Sequence, residues 1–141
     1  MCLDARGIES LPVALLLSTL LAASTLALGL SCLDVVQRLN ERQRAIECFD
    51  TFVTKIRTVI AGGPNSLQIV ELETPNAKIV GRGGLLQLWV GDEILKSEIV
   101  SLPVLLGDQN NWEIRDGCFA VELQRDGSGK YMIRLRRLLC G

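Results

Sequence analysis

The chain has 141 residues and contains no histidine. Histidine is the usual general base and the commonest metal ligand of proteins, so its absence argues against most hydrolytic and metal-dependent chemistry. The sequence also has no CxxC pair, although it has five cysteines, and a structural zinc site is therefore not expected. We predict that the protein is not an enzyme and that it has neither a cofactor nor a metal ion.

The chain has no excess of charge of either sign. Its 15 basic and 16 acidic side chains leave a formal net charge of −1. A basic surface for nucleic acid is therefore not expected. The glycines Gly81, Gly83 and Gly84 lie between two predicted strands rather than between a strand and a helix, which excludes a phosphate-binding loop of the usual kind.

Charged residues are absent from positions 10–33, a stretch dominated by leucine. About 20 apolar residues in a helix are enough to cross the core of a bilayer. A helix of a soluble protein would show a polar face, whereas the polar side chains here are small hydroxyls that can bond to the preceding turn of their own helix. The stretch therefore predicts a helix surrounded by lipid or by other apolar side chains.

Three interpretations of this helix are open. A cleaved secretory signal peptide normally has an apolar region of about 7–15 residues behind a basic leader, and this region is longer. In a lipoprotein signal the cleavage site would precede Cys32, but Gly29 and Leu30 stand where leucine and a small residue are usual. The second interpretation is a single-span anchor, and the third is a helix that leaves the membrane to line a filament.

The helical pattern continues beyond the apolar stretch. Apolar residues recur at spacings of three, four or seven, which is typical of one stripe on a helix. The sequence Gly62-Gly63-Pro64 then favours a helix end, so one helix is predicted over residues 10–61. The stripe predicted to pack against the rest of the protein consists of Val35, Leu39, Ile46, Phe49, Val53, Ile56 and Ile60.

Short strands separated by glycine-rich and polar turns follow the helix. We predict an α+β fold in which the long N-terminal helix packs on a small antiparallel β-sheet or β-sandwich head. If the head lies outside the cell, Cys48, Cys118 and Cys140 could form one disulfide whose pairing is open; otherwise they are small buried side chains. The predicted strands are Leu67–Leu72, 77–80, Leu85–Val90, 93–100, 103–106, 112–115, 118–124 and Tyr131–Leu138.

The first residues of the chain read MCLDARGIESLP and precede the apolar stretch directly. A short polar leader that ends in Arg6-Gly7 before an apolar helix resembles the class III signal peptide of type IV pilins, and the β-rich head is more similar to the archaeal pilins. The resemblance implies that a prepilin peptidase cleaves after Gly7, so that Ile8 becomes the mature N-terminus. It divides the chain into a leader (1–7), an apolar helix (8–33), an amphipathic continuation (34–61) and a head (62–141).

The resemblance also implies a function and partners. The precursor would wait in the membrane, and an assembly ATPase and platform protein would build copies into an adhesive cell-surface filament. The filament core would be formed by Leu11, Leu15, Leu16, Leu17, Leu20, Leu21, Leu26, Leu28 and Leu30.

Two features depart from this pattern. Bacterial pilins have a glutamate at the position that Pro12 occupies here. Arg38, Arg42 and Arg44 follow the apolar stretch while Arg6 precedes it, and this charge distribution favours a head that faces the cytoplasm. The alternatives are a fixed single-span protein whose β-domain binds a partner, and a minor pilin-like component of a filament or a secretion system.

Overall fold

The computed structural model describes the backbone of residues 5–140 and the side chains of residues 11–140. This part of the chain is α+β, with a long N-terminal helix followed by eight strands, and it divides into two compact units, Met1–Leu39 and Asn40–Gly141. The elements are α1 (Ala5–Gly62), β1 (Leu67–Leu72), β2 (Ala77–Arg82), β3 (Leu85–Val90), β4 (Glu93–Ile99), β5 (Val104–Leu106), β6 (Asn111–Ile114), β7 (Gly117–Arg125) and β8 (Tyr131–Leu138).

Helix α1 begins five residues before the predicted start, so Pro12 lies inside it rather than near its first turn. Proline has no N–H, and one hydrogen bond of the helical ladder is therefore missing at this point. The helix ends where the glycine pair predicts. Gly63 has a φ of +76°, a left-handed conformation that closes many helices, and its N–H bonds to the carbonyl oxygen of Ile60 at 3.4 Å.

All eight predicted strands are present, and β1, β3 and β8 have the predicted bounds. The largest difference is in β2, which continues through Arg82. The turn to β3 therefore consists of Gly83 and Gly84 alone. Gly83 has a φ of +61°, which a two-residue hairpin turn requires and which glycine adopts without steric cost.

The strands form two four-stranded sheets. Sheet A has the order β1-β7-β8-β5, and sheet B has the order β4-β3-β2-β6. All neighbouring strands are antiparallel except β5 and β8, which are parallel and so depart from the predicted antiparallel arrangement. The sheets approach each other at β5 and β6, where the indole N–H of Trp112 donates to the carbonyl oxygen of Val104 at 2.8 Å.

The second part of α1 fills the core between the two sheets. Phe49, Phe52 and Ile56 are fully buried, and the Phe52 ring meets the Trp112 ring edge to face at a centroid distance of 6.4 Å. Phe and Ile side chains in such a position each stabilise the fold by about 1.5–3 kcal/mol. Of the predicted stripe, Val53 is also buried, and Ile46 and Ile60 pack partly buried against the core.

The structure differs from the predicted stripe at its first two members. Val35 and Leu39 are 56% and 61% exposed. The buried stripe begins instead at Ala45, because the positions three and four residues before it are occupied by Arg42 and Glu41. Both are charged and make polar contacts at the surface of the head.

Polar contacts join the helix to one edge strand of each sheet. The Lys55 ammonium group donates to the carbonyl oxygen of Ile69 in β1 at 2.8 Å. On the other side, the Arg57 guanidinium lies 3.1 Å from the Glu98 carboxylate in β4. The helix therefore bridges β1 of sheet A and β4 of sheet B.

Candidate functional site

The apolar surface of α1 is the most unusual feature of the described residues. Every side chain from residue 11 to residue 40 is exposed. The nine leucines predicted to line a filament core are each 59–68% exposed. These are Leu11, Leu15, Leu16, Leu17, Leu20, Leu21, Leu26, Leu28 and Leu30.

Between residues 11 and 33 the oxygen-bearing polar side chains are all hydroxyls, and none of them requires water. Each hydroxyl between residues 11 and 33 donates to a carbonyl oxygen three or four residues earlier in α1, at 2.7–3.0 Å. In an apolar environment an unsatisfied donor costs several kcal/mol, and this cost is avoided here. The residues concerned are Ser18, Thr19, Ser24, Thr25 and Ser31.

Small residues create a shallow apolar groove on the same helix. Ala22, Thr25 and Gly29 line it together with three leucines, and its volume is about 610 Å³. Small residues at a spacing of three or four let a second helix approach closely. The larger lining residues are Leu26, Leu30 and Leu33.

By length and composition, α1 can cross a membrane. Its most apolar window of 18 residues contains no residue that is buried in the described structure. The core helix of a soluble protein would be mostly buried, so this helix differs from one. The apolar N-terminal helix therefore fits insertion into a membrane.

The predicted cleavage site lies outside the residues whose side chains the structure describes. This applies to Arg6, Gly7 and Ile8. Cleavage after Gly7 stays a prediction from the sequence.

The structure joins two of the three cysteines that the sequence suggests for a disulfide. Cys118 and Cys140 form a disulfide with a Cα–Cα distance of 5.9 Å, while Cys48 is free. Cys118 lies opposite Leu138 in the β7–β8 ladder, so the chain needs only two residues beyond that position to bring Cys140 back to it. This proximity depends on the strand register, which the spacing of the cysteines alone does not reveal.

A groove on the head lies between α1 and the end of β1, with a volume of about 480 Å³. Burial raises the pKa of the Cys48 thiol. A hydrogen bond with the Glu73 backbone opposes this rise, while the negative charges of Glu73 and Asp116 add to it. The sequence pattern does not reveal this groove, because its acidic side chains come from segments that are far apart in the chain. Its lining residues are Arg44, Glu47, Cys48, Thr51, Glu71 and Glu73.

A second groove of the head, of about 520 Å³, has an apolar floor and charges of both signs at its rim. Phe119 and Ile114 contribute to the floor, and Arg115, Arg137 and Glu113 to the rim. Among the residues that the structure describes, no group of three or more acidic or cysteine side chains is arranged to hold a metal ion.

No protein-family model, no curated protein and no solved structure matches this chain.

Proposed function

We propose that this protein is a structural subunit of a type IV pilus-like cell-surface filament. The precursor spans the membrane once, and copies then assemble through the apolar segment of α1. The observation that supports the proposal is the exposed apolar surface of residues 11–33, on which every hydroxyl is satisfied within the helix. Two environments suit such a surface, the interior of a bilayer and a bundle of copies of the same helix.

The groove around Gly29 favours the bundle as the final environment. A lipid chain gains little from a groove, whereas a neighbouring helix can place a leucine side chain in it. Lipid and protein offer similar apolar burial, so the net free energy of moving a helix from one to the other is small. Assembly therefore needs an external energy source, which the assembly ATPase and platform protein of such systems would provide.

The disulfide supports a head on the outside of the cell. Disulfides such as Cys118–Cys140 persist in oxidising compartments and are rare in the cytoplasm. The arginines that follow the apolar stretch favour the opposite orientation. We give the disulfide more weight because charge bias is a statistical preference, while a cytoplasmic head would lose this covalent bond to reducing agents.

The test is the mass of the protein isolated from membranes and from sheared surface material. We expect a mass that starts at Ile8 in both fractions. Gly7→Leu places a bulky side chain at the cleavage position and should leave an intact N-terminus with no sheared material. Ala5→Leu is the matched control, since it adds the same bulk to the leader two residues away and should be processed normally.

The second candidate is a fixed single-span protein whose head binds a partner. The two grooves of the head favour it, because a purely structural subunit does not need them. An intact N-terminus in the wild-type protein, with all of it retained in the membrane, would establish this candidate and overturn the filament proposal. A start at Ile8 with only traces in the sheared fraction would indicate a minor pilin-like component.

A further inference from the structure

Strand β8 ends in charges that the head does not neutralise. Arg136 and Arg137 are exposed, and neither takes part in an ion pair among the described residues. Leu139 follows them and is completely exposed, at 103% of its reference area. It is not a loose tail, because the next residue, Cys140, is bonded to Cys118 in β7. Arg136 and Arg137 are consecutive in β8, so their side chains leave opposite faces of sheet A at its end. We call Arg136, Arg137 and Leu139 together the arginine tip.

The groove between α1 and β1 has the opposite charge. Glu47, Glu71 and Glu73 line it together with a single cation, Arg44. None of these three carboxylates takes part in an ion pair among the described residues. The raised pKa of the Cys48 thiol on the groove wall is consistent with this negative potential, although burial is its main cause. We call these three glutamates the acidic groove.

Exposed apolar side chains lie beside the acidic groove. Leu67 and Ile69 are 50% and 56% exposed, and they alternate along β1 with buried residues, so they share a face with Glu71. Strand β1 is also at the edge of sheet A, with no strand on its other side. Its surface therefore combines negative charge with apolar area, as the arginine tip combines positive charge with an apolar side chain.

The two surfaces do not pair with each other within one copy. Strand β7 lies between β1 and β8, and the register places Ile69, Ala120 and Arg136 in one row across the sheet. Adjacent strands are about 4.8 Å apart, so the backbones of β1 and β8 are separated by about 10 Å. Among the described residues no ion pair joins the arginine tip to the acidic groove. A second copy of the chain supplies both missing partners.

We propose that the arginine tip of one copy docks on the acidic groove and β1 edge of the next copy. This inference rests on the proposed function and names the contact between heads. The contact joins two different surfaces, so a pair of bound copies still offers one free arginine tip and one free acidic groove. Such a heterologous contact extends into an open helical array when its rotation does not close a ring, and an open array is what a filament requires.

A charge exchange in the full-length protein tests the contact. The variant Glu71→Arg with Glu73→Arg, and the variant Arg136→Glu with Arg137→Glu, each place like charges across it. Each should lower the yield of sheared filaments at least about tenfold, which corresponds to about 1.4 kcal/mol. The chain that carries all four changes restores opposite charges and should recover most of the yield.

Matched controls reverse exposed charges elsewhere on the head. Arg82→Glu and Asp92→Arg change residues that are exposed and outside both surfaces, and they should leave the yield unchanged. If a reversal prevents folding, as judged by loss of the Cys118–Cys140 disulfide, the neutral pairs Glu71→Gln with Glu73→Gln and Arg136→Gln with Arg137→Gln replace it. The neutral variants should lower the yield by a smaller factor.

The outcomes separate this contact from the proposed function. If the wild type forms filaments and none of the charge variants changes their yield, the contact is wrong and the filament function stands. If the wild type forms no filaments, sedimentation of the full chain in detergent decides. Self-association that high salt and either reversal abolish, and that the fourfold exchange restores, supports the contact without the filament, whereas a monomer at all salt concentrations overturns both.

Discussion

At the scale of single residues, the disulfide has the clearest consequence for stability. Cys118 and Cys140 are 22 residues apart, and closing a loop of that length in the unfolded chain stabilises the folded state by about 3 kcal/mol. Cys140→Ser should lower the free energy of unfolding of the head by that amount. The measurement is urea denaturation of the full chain in detergent, with tryptophan fluorescence as the signal of unfolding.

Cys32→Ser is the control for this prediction, because Cys32 is an exposed free thiol of the apolar segment. Its urea midpoint should equal that of the wild type. Equal midpoints for Cys140→Ser and the wild type would mean that the bond does not constrain the head.

The second prediction at this scale concerns the Cys48 thiol. Burial raises its pKa in the folded state, and the charge of Glu73 adds to the effect. Because the pKa is raised, the folded state favours the protonated, neutral thiol of Cys48. This contribution to the free energy of unfolding is therefore present below the ordinary pKa of cysteine. It is lost as the pH rises through the folded-state pKa.

The rate of labelling by iodoacetamide measures the pKa of the Cys48 thiol, because only the thiolate reacts. In a chain with Cys2 and Cys32 changed to serine, the pH midpoint of labelling should be higher in detergent than in concentrated urea. Glu73→Gln removes one of the causes and should move the midpoint part of the way back. A folded midpoint at or below the unfolded one would contradict the prediction.

At the scale of elements, the buried stripe of α1 holds the head together. Phe52 is fully buried and contacts Trp112, so Phe52→Ala should lower the free energy of unfolding by about 3–5 kcal/mol. Leu39→Ala removes a side chain that is 61% exposed and should change it by less than about 0.5 kcal/mol. The urea midpoints of the two variants measure both changes in the free energy of unfolding. Equal decreases would mean that Leu39 packs against the head as Phe52 does.

The strands could be predicted because turn residues mark their ends. Gly83-Gly84, Gly91-Asp92 and the polar loop after Arg125 each separate two strands that pair as hairpins, and hairpin partners are neighbours in sequence. The parallel pairing of β5 with β8 could not be predicted, since the two strands are far apart in sequence and neither pattern specifies a partner.

Neither the start of the buried helix stripe nor the acidic groove could be predicted from the sequence, and the reason is the same for both. The apolar spacing continues unchanged through Val35 and Leu39, but whether a residue is buried depends on where the sheets end. The contacts of Glu41 and Arg42 with the head surface mark this limit, and those contacts exist only in the folded protein. The groove combines Glu47 of the helix with Glu71 and Glu73 of a distant segment. Local patterns predict elements, whereas sites of this kind arise from the contacts between them.

At the scale of the whole molecule, the chain consists of two compact units with different chemistry. In the unit Met1–Leu39 the apolar side chains from residue 11 onward are exposed. The unit Asn40–Gly141 has a core of its own, built from the later part of α1 and both sheets. A substitution in the apolar segment should therefore change membrane insertion without changing the stability of the head.

Leu20→Arg tests this independence. An arginine near the centre of a membrane-spanning helix costs about 2.5–3.5 kcal/mol, so extraction at alkaline pH should release a larger fraction of the variant than of the wild type. Thr25→Ala is the matched control: the Thr25 hydroxyl bonds to the carbonyl oxygen of Leu21 and offers nothing to the surroundings, so its removal should leave the extracted fraction unchanged. Both variants should keep the wild-type urea midpoint of the head. If Leu20→Arg were retained in the membrane as fully as Thr25→Ala, the apolar surface would not be what holds the protein there, and the filament built on that surface would have to be abandoned with it.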